Sequence, residues 1–134
     1  MEKKDLDIET IKRYWVAEAE EGLNVAGHLF EKGDYSYALF FGHLAIEKLL
    51  KGLYVERKHK HAPRIHNLLR FARLAGIELD EAQEDGLVVI SSFNIEARYP
   101  DLKRSFRERC NEEFAREQMK NVKEMFEWLR RMIR

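Results

Sequence analysis

The stretch from Tyr35 to Arg57 constrains this chain more than any other. Read at 3.6 residues per turn it predicts a helix that is apolar on most of its circumference, through Tyr37, Ala38, Leu39, Phe40, Phe41, Leu44, Ala45, Ile46, Leu49, Leu50, Leu53 and Tyr54. A helix with one apolar stripe can lie on a surface, but one that is apolar nearly all round must be enclosed. The remaining sequence therefore has to supply amphipathic helices that surround it.

It does so on both sides. A first helix over Ile8 to Lys32 places Trp15, Ala19, Leu23, Ala26 and Phe30 on one face; Gly33 supplies the left-handed residue that ends it, and Asp34 caps the next. Lys58 to Arg64, with Pro63, reads as a loop, followed by a short helix over Asn67 to Ala75 that stops at Gly76. Asp80 and Gln83 form a capping box for a fourth helix ending near Glu96, ahead of Pro100. The run Leu87 to Ile90 could be a strand, but no second run exists to pair with it. A last helix over Asn111 to Arg134 carries Phe114, Gln118, Val122, Met125, Leu129 and Met132 as a coiled-coil-like seam. The expected fold class is all-α: one domain over 1–134, an up-and-down bundle of four main helices plus one short helix. Gly42 and Gly52, with Ala38 and Ala45, are expected to let neighbouring helices approach closely.

Composition narrows the class further. At 134 residues, 45% hydrophobic and 36% charged, the chain suits a single core, and no stretch approaches the eighteen or so apolar residues of a membrane span. The opening Met1-Glu2-Lys3-Lys4-Asp5 lacks the apolar core of a signal peptide, and the single cysteine, Cys110, cannot form an internal disulfide. Both predict a cytoplasmic protein. The 18 Glu and 24 Lys plus Arg against 5 Asn, 2 Gln and one Thr favour helix and are thermophile-like.

Charge is balanced in total, 24 against 24, yet segregated along the chain. Residues 51–75 carry seven basic groups and one acidic, together with His59, His61 and His66; residues 76–100 carry one basic and six acidic. An anionic ligand would approach the first of these. On the central helix, His43, Glu47 and Lys51 follow at i, i+4 and i+8, so they form one line on an otherwise apolar surface, with Lys48 beside it. That line either meets a ligand or is an internal Glu47–Lys51 pair, and a set of lysines lining an anion site would repel one another until ligand binds. Glu96-Ala-Arg-Tyr-Pro-Asp101 is a second polar cluster, in which Pro100 holds Tyr99 out of the helical region and Arg98 can meet helix carbonyls or an anion. His59, His61 and His66 on a loop, without a nearby cysteine or paired carboxylate, make a poor metal site. No phosphate-binding glycine loop is present, and no metal or cofactor is assigned. The last helix also places Met119, Phe126, Trp128 and Ile133 outside its seam, which predicts a twofold partner covering them.

These features together resemble the HEPN domain family. The resemblance rests on Trp15 and Ala19, on Asp34-Tyr-Ser-Tyr-Ala-Leu-Phe-Phe41, on Ala45-Ile-Glu-Lys-Leu-Leu-Lys-Gly-Leu53, on His66-Asn-Leu-Leu69 and on Ala97-Arg-Tyr-Pro-Asp101. It implies a helical bundle, usually a homodimer, often acting with a minimal nucleotidyltransferase as a two-component toxin–antitoxin pair. The candidate ligand-binding residues are Glu47, Lys48, Lys51, His66, Arg98 and Tyr99, taken from the polar line, the basic segment and the second polar cluster, with a nucleotide or another phosphate-bearing anion, RNA included, as the ligand. Glu47 would position Lys51 or accept from a ribose or base. Many members are ribonucleases built on an arginine and a histidine with four to six residues between them. This chain departs there: no histidine follows His66, and Arg57 is separated from His61 by three residues and from His66 by eight. No catalytic residue is therefore assigned. A homodimeric interaction module without catalysis is the alternative, and a ribonuclease with a non-standard site the third reading.

Overall fold

The computed structural model describes residues 7–95 and 100–134, which form six helices and, among the described residues, no strand. They are α1 (Ile8–Glu31), α2 (Tyr35–Lys58), α3 (Leu68–Leu74), α4 (Glu81–Ser91), α5 (Pro100–Arg109) and α6 (Glu112–Arg130). Among the described residues no helix is long and apolar enough to cross a membrane.

Helix α2 is enclosed as its sequence demands. Leu39, Ile46, Leu49, Leu50 and Leu53 have no exposed surface, and each such side chain contributes roughly 1.5–3 kcal/mol of burial. Its neighbours come close because small residues line the contacts. A Cβ on Gly22 of α1 would sit 3.6 Å from that of Ala45, and one on Gly52 would sit 3.4 Å from Val16 and 3.6 Å from the Trp15 Cβ. On the other flank, a Cβ on Gly42 would come within 3.2 Å of Val122 on α6. The two glycines singled out in the sequence thus set the approach of α1 and of α6.

The ends follow ordinary chemistry. Asp7 accepts from the Thr10 N–H at 3.1 Å and from its hydroxyl at 2.7 Å. Gly33 and Gly76 both take positive φ, at 83° and 78°, as helix-ending residues do. The Asp80–Gln83 capping box forms in full. Asp34 stands at the N-cap of α2, but its side chain makes no cap bond; only its carbonyl accepts, from Ala38 N–H at 2.8 Å. Lys12 is buried with its ammonium 2.9 Å from Glu9, 3.3 Å from Glu56 and 2.9 Å from the Arg134 carbonyl, which ties the end of the α6 segment to α1 and α2.

Three expectations change. The bundle holds six helices among the described residues rather than five, because Pro100 opens α5, where a missing N–H costs nothing. The fourth helix ends at Ser91, not near Glu96. The buried face of α6 is Ala115, Met119, Val122, Phe126 and Leu129, which shares only Val122 and Leu129 with the expected seam. Met119, Phe126 and Ile133 consequently lie in the core of the single chain, so the surplus apolar surface read from the sequence does not arise, apart from half-buried Trp128.

Two glycines separate helix propensity from packing. Gly27 has nothing within 4 Å of where a Cβ would stand, so Gly27→Ala should stabilise by about 0.5–1 kcal/mol through backbone entropy. Gly42→Leu should destabilise by about 1–3 kcal/mol, since Val122 is fully buried and stiff at χ1. Urea midpoints for the two variants moving in the same direction would contradict this account.

Candidate functional site

Enclosing α2 leaves its polar line with one way out. His43 is fully buried and Glu47 is 5% exposed, while the side chain of Lys51 reaches the rim at 19%. The Lys51 ammonium lies 3.8 Å from Glu47 Oε2. The other carboxylate oxygen is met from a different element: His66 Nδ1 stands 3.1 Å from Glu47 Oε1, with the imidazole side chain 73% exposed. A carboxylate can only accept, so the proton of this bond sits on Nδ1.

The local fold explains why His66 is there. Asn67 caps α3 by accepting from Arg70 N–H at 3.0 Å, and Leu68 N–H donates to Ser91 Oγ at 3.0 Å, joining the start of α3 to the end of α4. Leu68, Phe71 and Ala72 are buried, and Phe71 meets Tyr54 of α2 edge-on at 6.0 Å. His66, immediately ahead of the cap, is thereby set against Glu47. Helix α1 contributes Trp15, whose ring centroid is 4.6 Å from the Lys51 ammonium and which packs edge-on to Tyr14 at 5.0 Å. The bare backbone of Gly52 allows that approach.

Electrostatically the centre is the buried carboxylate. An unpaired buried charge costs several kcal/mol, so Glu47 requires the cation on one side and the donor on the other. His43 is less well served: its Nε2 is 4.0 Å from Glu47 Oε1, too long for a hydrogen bond, and neither ring nitrogen makes a well-formed hydrogen bond among the described residues. Burial pushes its pKa down, with the Glu47 charge and the Phe40 backbone acting in the opposite sense, so the ring is neutral at pH 7.

Of the residues singled out in the sequence, Glu47, Lys51 and His66 converge. Lys48 lies a quarter-turn away, half-buried, with no hydrogen bond or ion pair among the described residues. Arg98 and Tyr99 fall outside the described residues. Lys51 is not held in repulsion with Lys48 but is already paired with Glu47 and Trp15. Trp15 is the contributor that sequence reasoning placed only in the helix-packing face; a tryptophan on the same side of the α1–α2 contact as a bare Gly52 was the available signal. Exposed Lys58, Lys60, Arg64 and Arg70 surround the loop and α3, so the basic segment of the sequence does reach solvent. Among the described residues no three His, Cys, Asp or Glu side chains converge as a metal site.

The state of His43 gives a signed expectation. Its folded pKa lies below the unfolded value of about 6.5, so its contribution to stability is present above that pH and is lost as pH falls below it. His43→Met should remove this loss and be neutral or stabilising at pH 7 by up to about 1 kcal/mol, since it deletes two poorly bonded buried nitrogens. Melting temperatures of both proteins between pH 7.5 and 5 test it; equal acid sensitivity would exclude His43 as the cause.

Comparison with protein families matches residues 12–132 to the HEPN domain. Among solved structures, the crystal structure of TT1696 from Thermus thermophilus is similar, with a TM-score of 0.74 and 23% identity over 90% of this chain and 96% of that one, a likeness of fold. No curated protein matches. Spanning all six helices but for the first turn of α1, the family match establishes that the chain belongs to the HEPN domain family.

Proposed function

We propose that this protein binds a nucleotide, or another phosphate-bearing anion, on the face that carries Lys48, Lys51 and His66. The observation that carries the reading is the use of a buried Glu47 to hold a lysine and an exposed histidine from two different elements at one point, beside an indole. Phosphate oxygens accept readily from the ammonium groups of Lys48 and Lys51, and such charge-assisted bonds are the strong ones; His66, whose Nδ1–H is given to Glu47, donates to a phosphate through Nε2 only as an imidazolium. Trp15 and Tyr14 supply flat faces on which a base can stack. Both Glu47 oxygens already serve Lys51 and His66, which favours positioning over direct acceptance from a ribose. The exposed basic residues of the loop add attraction for the same sign of ligand. Arg98 and Tyr99 belong to the proposed site through the sequence reading of the Glu96–Asp101 cluster.

Family membership supports a wider role beside a minimal nucleotidyltransferase, as one half of a toxin–antitoxin-type pair, with a homodimer as the working form. Ribonuclease chemistry through the family's arginine–histidine spacing is not part of the proposal, because this sequence lacks that spacing.

Calorimetric titration with ATP, GTP and a short single-stranded RNA tests the binding. Lys48 is the clean probe: Lys48→Met should leave the melting temperature nearly unchanged, within roughly 1 kcal/mol, while weakening binding by about tenfold. Lys51→Met should lower both affinity and stability, because Glu47 then loses its cation. Absence of binding to all three ligands, or full affinity in Lys48→Met and His66→Ala alike, would remove this face as a ligand site.

A further inference from the structure

A second surface shares no residue with the Glu47 cluster. Between α4 and α6 runs a groove of about 460 Å³, floored by Val89, Ile90, Met125 and Trp128. Its charged lining is of one sign: Asp80, Asp85 and Glu124, with no lysine or arginine. Val89 of this lining and Val88 beside it on α4 are 43% and 54% exposed. β-Branched residues gain nothing from an exposed helix position, either from helix propensity or from solvation. Gly86 lies in the middle of α4, where glycine is unfavourable, and a Cβ there would come within 3.0 Å of the Met125 methyl. The bare position lets Met125, an adaptable side chain, lie against the helix as the groove floor.

Charge decides the occupant. A second copy laid symmetrically on this face would set its own Asp85 and Glu124 against these, and a nucleic acid or anionic lipid would be repelled. A groove between two helices is shaped for a third, and α4, at 11 residues, offers about three turns of contact. We propose that the α4–α6 groove docks a short basic amphipathic helix of a partner protein, its apolar face on Val89, Met125 and Trp128 and its lysines or arginines against Asp80, Asp85 and Glu124. This is independent of nucleotide binding, and either can fail alone.

The test is an amide NMR titration with a synthetic peptide of about four helical turns, with leucines at i, i+3, i+4 and i+7 and lysine or arginine elsewhere. Saturable shifts are expected over residues 80–91 and 118–128, weakened at least about tenfold in Gly86→Leu, which fills the groove, and in the doubly neutralised Asp85→Asn/Glu124→Gln. Should Gly86→Leu fail to fold, the double variant, altered only at exposed carboxylates, decides. Equal binding of a peptide with glutamate in place of lysine and arginine, or shifts mapping elsewhere, would overturn the proposal. So would unchanged affinity in the double variant, or movement of the same amides on simply concentrating the protein, which would indicate a second copy.

Discussion

A helix enclosed on nearly every side has few places to put a charge, and Glu47 sits in the middle of one. Burial of its carboxylate would be costly alone, so the elements around it are arranged to meet it. Lys51 comes from the next turn of α2 and His66 from the residue ahead of the α3 cap; Trp15 comes from α1, admitted by Gly52. The loop between α2 and α3 is thus held by Ala62 and Ile65 packed on the core, by α3 at its end, and by the hydrogen bond from His66 to a buried carboxylate. Packing and polarity here are the same constraint: were α2 exposed on one more side, Glu47 would find water and His66 would have no reason to dock.

The zero net charge of the chain hides two opposed faces. The segment after α2 is basic and exposed, whereas the α4–α6 groove is lined by carboxylates alone among its charged residues. Arg73 and Glu84, paired between α3 and α4, mark where the two meet. Such separation attracts anions to one side and cations to the other, which a uniformly mixed surface of the same composition would not do.

Legibility follows periodicity. Helices α1 and α2 and the caps at Gly33, Gly76 and Asp80 can be read because an apolar stripe or a turn residue announces each. Helix α5 cannot: in Pro100–Arg109 only Phe106 is buried, so no stripe exists to detect. The buried face of α6 departs from the expected seam because apolar residues flank Val122 and Leu129 on both sides, Met119 and Phe126 on one and Met125 and Met132 on the other; periodicity allows either flank, and tertiary packing turns the Met119–Phe126 side inward. At the site, Glu47 and Lys51 are legible from spacing along one helix. That His66 joins them from a loop, and Trp15 from another helix, is a matter of tertiary packing, which spacing does not encode.

Two buried charges in this bundle differ in how far the chain itself saturates them, and the difference bears on the proposed site. Lys12 has three ammonium protons and three acceptors, in Glu9, Glu56 and the Arg134 carbonyl, so it is saturated within the chain. A ligand could add nothing there. At Glu47 the balance is incomplete: His66 makes one bond with Nδ1 and keeps Nε2 in an exposed ring, Lys51 sits at the rim with only a 3.8 Å contact to the carboxylate, and His43 is buried without a well-formed hydrogen bond at either nitrogen. Fixed positions with hydrogen-bonding capacity left over are what a binding site needs, since the cost of ordering the groups has been met in folding. The HEPN fold alone says nothing of which of its buried charges has that property. The difference in saturation between Lys12 and Glu47 is what favours the Glu47 cluster for the proposed site.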